Sequence, residues 1–243
     1  SGTPESDGFR TNTTFILDAE EIHKKAKEKN ITVTAYMTAA LILAVENIQR
    51  KQVRHRKKMK PIKVLVPVNL RKLFPSNTLR NFVLFSTPRI DQRLGDYSFD
   101  ELCSIVYHTM GLEITAKNMS SIIAANVGDE KSTILSLTPL FLKNLVMKLV
   151  YNAVGESTSC FTFSNLGIVK IPEEMQKYVT RLDFVLGVQS CAPYNTGFIT
   201  YGGKAYLNII RNIKEPLLEK ELYRVLRNLG IHVCAESNTR KEK

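Results

Sequence analysis

Four histidines, His23, His55, His108 and His232, carry the side chains whose ordinary pKa suits proton transfer near neutral pH. His23 is followed by Lys24 and Lys25, His55 lies inside a basic run, and His232 stands near the C-terminal end. His108 has Ser104 and Gly111 one helical turn away on either side, which leaves room for a ligand to approach. A nucleophilic enzyme needs an activated residue beside a base, yet no GxSxG or HExxH spacing occurs, nor a Walker A or GxGxxG phosphate loop. Cys103, Cys160, Cys191 and Cys234 are isolated, without a CxxC pair, so no zinc site or redox couple is expected. They read as reduced thiols of a cytoplasmic protein. Glu173 and Glu174 follow Pro172, where negative charge suits the start of a helix.

The formal charge of +11 favours an anionic partner. Its densest source is the run Arg50–Lys60, with Arg54, Arg56 and Lys57 as candidate phosphate contacts. Such a run serves equally as a solvated helix end and loop. No aromatic residues interleave it and no RNA-binding or zinc-finger motif accompanies it, so nucleic acid is not the expected partner. The apolar stretch Ala39–Val45 falls well short of the ~20 residues that cross a bilayer. The polar start, residues 1–12, and the end, residues 235–243, read as loose segments around one domain at 13–234.

The elements that would position these groups follow from spacing. Asp18 with Glu21 gives a helix start, and Thr32 or Thr34 caps a second helix, Ala35–Val45, that is apolar nearly all round and therefore buried. Ile62–Leu70 reads as a strand with Pro67 near its end or at an edge, and Asn81–Thr87 as another, with Pro75-Ser76-Asn77 as loop between them. Ser98 and Glu101 open a long helix to about Ala125, interrupted at 127–131. Pro139 opens a further helix closed by Gly155. Strands follow at Cys160–Leu166 and Leu182–Val188, then a hairpin turning through Gly202-Gly203, and a last helix from Pro216 to Gly230. The fold class is a two-layer α/β sandwich: a mixed, largely antiparallel sheet with long helices packed on one face.

Several segments in order resemble the chloramphenicol-acetyltransferase-like superfamily, above all alcohol acetyltransferases of bacterial type and peptide-synthetase condensation domains. They are the helix after Thr32, Val66-Pro67-Val68-Asn69-Leu70-Arg71, Asn81-Phe82, Cys160-Phe161-Thr162-Phe163-Ser164-Asn165-Leu166-Gly167, Phe184–Val188, and Gly203–Asn208 before the closing helix. The resemblance implies a general base within HxxxD, a motif absent from this chain. The matching place, after the last long strand, reads Ile210-Arg211-Asn212-Ile213-Lys214-Glu215-Pro216. Neither an amide nor a guanidinium replaces imidazole there.

The resemblance therefore implies the C-terminal, non-catalytic half of an acyl-CoA-dependent O-acyltransferase, with the histidine on a missing N-terminal half. Acetyl-CoA, another acyl-CoA or a carrier-bound acyl group is the implied substrate, and no cofactor or metal is implied. Thr162, Ser164 and Asn165 become candidates for the tunnel wall or oxyanion, with a plain strand exit as the other reading. Asn69 and Arg71 are candidate strand-end anchors. The interface left by the missing half implies an apolar patch and a possible dimer. The alternative is a free-standing interaction module that uses the basic run.

Overall fold

The computed structural model describes residues 2–5, 7–130, 139–140, 144, 159–188 and 192–240. The chain enters the sheet earlier than the sequence reading placed it. Thr11, Thr13, Phe15 and Leu17 alternate inward to make strand β1 (Thr11–Asp18). Asp18 ends that strand and caps helix α1 (Ala19–Glu28), its carboxylate accepting from the Glu21 N–H at 2.8 Å. Thr32, not Thr34, caps α2 (Val33–Gln52), its hydroxyl accepting from the Ala35 N–H at 3.1 Å. The apolar run from Ala35 to Ile42 is buried throughout, as a helix apolar on every side must be.

Strands β2 (Ile62–Asn69), β3 (Val83–Ser86) and the two-residue β4 (Arg89–Ile90) follow. Pro67 stands near the end of β2, as expected, although β2 itself is not an edge strand. It is tolerated because the pairing of β2 with β5 involves only Val64 and Leu65, leaving Pro67 opposite Phe85 of β3 alone. Helix α3 (Phe99–Glu113) begins with a full capping box between Ser98 and Glu101.

The expected break at 127–131 does not appear in the part described, since α4 (Ala116–Glu130) runs through Val127 and Gly128. The helix breaks at Ile114-Thr115 instead. There the Thr115 hydroxyl accepts from Asn118 N–H and the Asn118 amide donates to the Glu113 carbonyl, so side chains compete with helix continuation. The helix expected from Pro139 to Gly155 lies outside the described residues, apart from Pro139, Leu140 and Asn144.

Strands β5 (Phe161–Ile168), β6 (Tyr194–Tyr201) and β7 (Lys204–Arg211) form the centre of the sheet. Gly202 and Gly203 have φ of 58° and 77°, the turn that a two-residue hairpin needs. Helix α5 (Leu217–Asn228) buries Leu218, Leu222, Val225 and Leu226 and stops at Gly230, φ 78°.

Residues 235–237, expected to begin a loose tail, belong to strand β8 (Cys234–Ser237) along β1. The unpaired edge of β1 supplies the reason, since its backbone groups need partners. The N-terminal segment is likewise tied down: Glu5 N–H bonds the Asn212 carbonyl at 3.0 Å and Lys214 N–H the Thr3 carbonyl at 2.9 Å.

The strand order is β3-β2-β5-β6-β7-β1-β8, with β4 also on β2. β5 runs parallel to both neighbours and all other pairs are antiparallel. Phe15, Phe163, Phe198 and Leu207 face α2, α3 and α5 in one core. A one-residue slip of a strand would expose its core ring at about 1.5–3 kcal/mol each, more than any single ladder bond returns. The segment 182–188, expected as a strand, joins no ladder. Both edges of β6 are already taken, so this segment crosses the outer face of the sheet as a strap.

Candidate functional site

Strand β5 fixes the faces of its own residues. Phe161 and Phe163 point to the helices, so alternation sends Thr162 and Ser164 to the outer face. Thr162 is buried and Ser164 half-buried. Asn165 falls on the other side, its amide donating to the Thr34 hydroxyl of α2 at 3.0 Å. Its Oδ1 accepts from Gly167 N–H at 2.7 Å, an Asx turn that lets Gly167 adopt φ 77° and the strand bulge before Ile168. Asn165 is thus separated from the two hydroxyl residues with which the sequence reading grouped it.

The strap closes one side of the Thr162–Ser164 face. Asn195 of β6 accepts from Thr162 N–H at 3.0 Å and donates to the Gly187 carbonyl at 2.5 Å, bridging strand to strap. Gly197, opposite Ser164, would place a Cβ 2.0 Å from the Phe184 carbonyl oxygen, so only glycine admits the strap there. Farther along, Tyr201 donates to the Val179 carbonyl at 2.8 Å and Asn208 donates to Asp183 at 3.1 Å. Arg181 pairs with Asp183 and Glu236 and lies over the Tyr206 ring; these carboxylates hold its guanidinium well above the usual range. Sequence reasoning missed the strap and Asn195. A glycine mid-strand at 197 was the available signal.

The place where the resemblance sets a histidine is occupied by a buried ion pair. Arg211 is 2% exposed, donates to the Ile213 carbonyl at 3.0 Å, and pairs with Glu219 of α5. Burial pushes the Glu219 carboxyl above its usual range, against the pull of Arg211. Tyr194 completes this corner: its hydroxyl donates to the Glu215 carbonyl at 3.0 Å and accepts from Leu217 N–H at 3.1 Å, capping α5 in place of Pro216, which makes no side-chain cap bond. Burial raises its pKa as well.

All four histidines are exposed, and among the described residues no imidazole bonds a carboxylate; His232 donates only its backbone N–H to Glu21, at 3.1 Å. His108 sits in the helix layer, stacked edge-on to Tyr107 at 5.6 Å and across the sheet from Ser164. Hollows of about 370 and 440 Å³ flank it, without a second titratable group bonded to it. Asn69 accepts from Arg71 N–H at 3.1 Å, and the Arg71 guanidinium donates to the Thr78 and Arg80 carbonyls, both at 2.7 Å, which closes the loop after β2. In the basic run Arg56 and Arg50 both pair with Asp96, and Arg50 also with buried Glu46. Arg54 and Lys57 are exposed, with no ion-pair partner among the described residues. No cluster able to hold a metal ion exists among the described residues, and no single described helix is long and apolar enough to cross a membrane.

The comparisons with solved structures define the class. The trichothecene 15-O-acetyltransferase of Fusarium sporotrichioides matches with a TM-score of 0.60 and 16% identity, over 94% of this chain and 48% of that one. The epimerization domain from the third module of tyrocidine synthetase B gives 0.55 and 12%, over 94% and 50%. The wax ester synthase/diacylglycerol acyltransferase of Marinobacter aquaeolei VT8 gives 0.51 and 15%, over 91% and 49%. The fold is therefore that shared by acyltransferases and condensation-type domains, and the chain spans about half the length of these structures. The alcohol acetyltransferase family model matches residues 16–192, well over half of the chain, and the protein belongs to that family. No curated protein matches it.

Proposed function

We propose that this chain is the C-terminal, non-catalytic half of an acyl-CoA-dependent O-acyltransferase, contributing one wall of the tunnel in which acyl donor and alcohol acceptor meet. The observation that carries this reading is Arg211. Where the superfamily resemblance places a general base, this chain holds a buried guanidinium locked to Glu219. A guanidinium neither accepts a proton from an alcohol nor releases its own near pH 7. The chain's span of about half the solved relatives supports a second half that supplies the histidine.

On this reading the outer sheet face, opposite the helices, meets the missing half. Thr162 and Ser164 lie on that face beside the strap, and the Ser164 hydroxyl is the group offered toward the acyl carbonyl. Acetyl-CoA or another acyl-CoA is the proposed donor. The basic run is not needed for this role, and the pairing of Arg50 and Arg56 with Asp96 weakens its use as a polyanion site.

The test is release of free CoA thiol from acetyl-CoA with an alcohol acceptor. The chain alone should show none, and activity should appear when it is joined to the histidine-bearing half encoded before Ser1. Acetyl transfer by the chain alone that His108→Ala abolishes would overturn the proposal.

A further inference from the structure

A groove of about 470 Å³ opens on the helix side of the sheet, between the C-terminal turns of α2 and the start of α5. Val45, Ile48, Phe161, Ile213 and Leu218 supply apolar parts of its wall. This volume and lining fall in the range of small-molecule sites, at about 300–1,000 Å³. It lies across the sheet from Ser164, since Phe161 faces the helices. The tunnel wall proposed above therefore does not account for it.

The rim of the groove is cationic. Lys58 and Lys60 stand at its mouth, and among the described residues neither ammonium has a carboxylate partner. Of the neighbouring cations, Arg50 and Arg56 pair with Asp96 and Lys51 with Glu221, while Arg54 and Lys57, also without an ion-pair partner among the described residues, do not line the groove. Glu215 borders the adjoining hollow, and its oxygens accept from Thr3 N–H at 2.8 Å and Thr3 hydroxyl at 2.6 Å.

Both lysines are held by fixed backbone. Gln49 of α2 accepts from Lys60 N–H at 3.0 Å and donates to the Lys60 carbonyl at 3.1 Å. Met59, between the two lysines, is buried and anchors the short turn that carries Lys58. The start of α5 offers no free anion site, because the Tyr194 hydroxyl already takes the Leu217 and Leu218 N–H groups. An anion at the mouth is left to the lysines, and an apolar group is left to the interior.

We propose that this groove binds a single-chain fatty carboxylate, with the alkyl tail between α2 and α5 and the carboxylate between Lys58 and Lys60. The site is non-catalytic, because no nucleophile paired with a base lines it. Cys160 at its wall lies 3.8 Å from the Pro61 carbonyl, without a base beside it.

Isothermal titration of the 243-residue chain with dodecanoate, below its micellar concentration, tests the site. Saturable 1:1 binding is expected, weakened by added salt. The K58E/K60E variant should bind at least about tenfold more weakly, the loss expected on removing one charge-assisted contact of about 1.4 kcal/mol or more, and its far-UV circular dichroism and Tm should match those of the parent. Dodecyltrimethylammonium, with the same tail and opposite charge, should not bind. Absence of saturable dodecanoate binding, equal affinity in K58E/K60E, or equal binding of the cationic amphiphile would each overturn the proposal. None of these outcomes depends on acyl transfer.

Discussion

Replacing Arg211 by alanine tests the corner on which the functional reading turns. Arg211 and Glu219 are 2% and 6% exposed at their side chains, so removing the guanidinium leaves a carboxylate buried without its counter-ion. Breaking a buried pair in this way costs about 3–5 kcal/mol, and at this chain length that lowers Tm by roughly 10 °C. The loss carries a pH signature. Burial already raises the Glu219 carboxyl above its unfolded value, and without Arg211 the rise is larger. A raised carboxyl stabilises the fold below its unfolded pKa and loses that contribution as pH climbs through the folded pKa. Arg211→Ala should therefore be costlier at pH 7.5 than at pH 4.5. Replacing both partners by apolar residues, R211M/E219L, removes the stranded charge and should recover most of the stability. Urea unfolding followed by far-UV circular dichroism suits this protein, which has no tryptophan. A loss below about 1 kcal/mol, or one equal at both pH values, would refute a buried and coupled pair.

Two further perturbations test the supports of the outer face and the helix layer. Gly197→Ala drives a methyl against the Phe184 carbonyl and should cost about 1–3 kcal/mol through displacement of the strap; a wild-type melting temperature and unchanged amide exchange at residues 184–187 would contradict that packing. Ser98→Ala removes the capping box of α3 and should cost about 1 kcal/mol in urea unfolding. Glu101, whose carboxyl is held below its usual range by the Ser98 N–H and hydroxyl, gives this cap a pH limit: its contribution is present above the unfolded carboxyl pKa and lost as pH falls through the lower folded value. An effect of Ser98→Ala that is the same at pH 7 and at strongly acid pH would argue against the cap.

Much of the local structure was legible because its causes are local. Asp18, Thr32 and Ser98 cap helices through bonds to N–H groups three residues on, and Gly202-Gly203 sets its hairpin whatever surrounds it. The buried character of α2 follows from an apolar run that leaves no side for water. The absence of HxxxD is likewise a property of the chain alone, and with it the want of the superfamily's general base.

Tertiary structure decided what depends on partners distant in sequence. The extended pattern of 182–188 suggested a strand, but β6 already pairs on both edges, so the same pattern lies across the sheet as a strap over Gly197. Strand β8 forms because β1 presents an unpaired edge more than two hundred residues earlier in the chain. Asn165 and Ser164 are adjacent in sequence yet face opposite sides of β5, and only the helix layer says which side is inward. Arg211 is unremarkable as a sequence position; burial against Glu219 makes it a fixed positive charge. The absence of HxxxD is read from the sequence alone, and only the fold shows Arg211 buried against Glu219, eight residues on and across the start of α5.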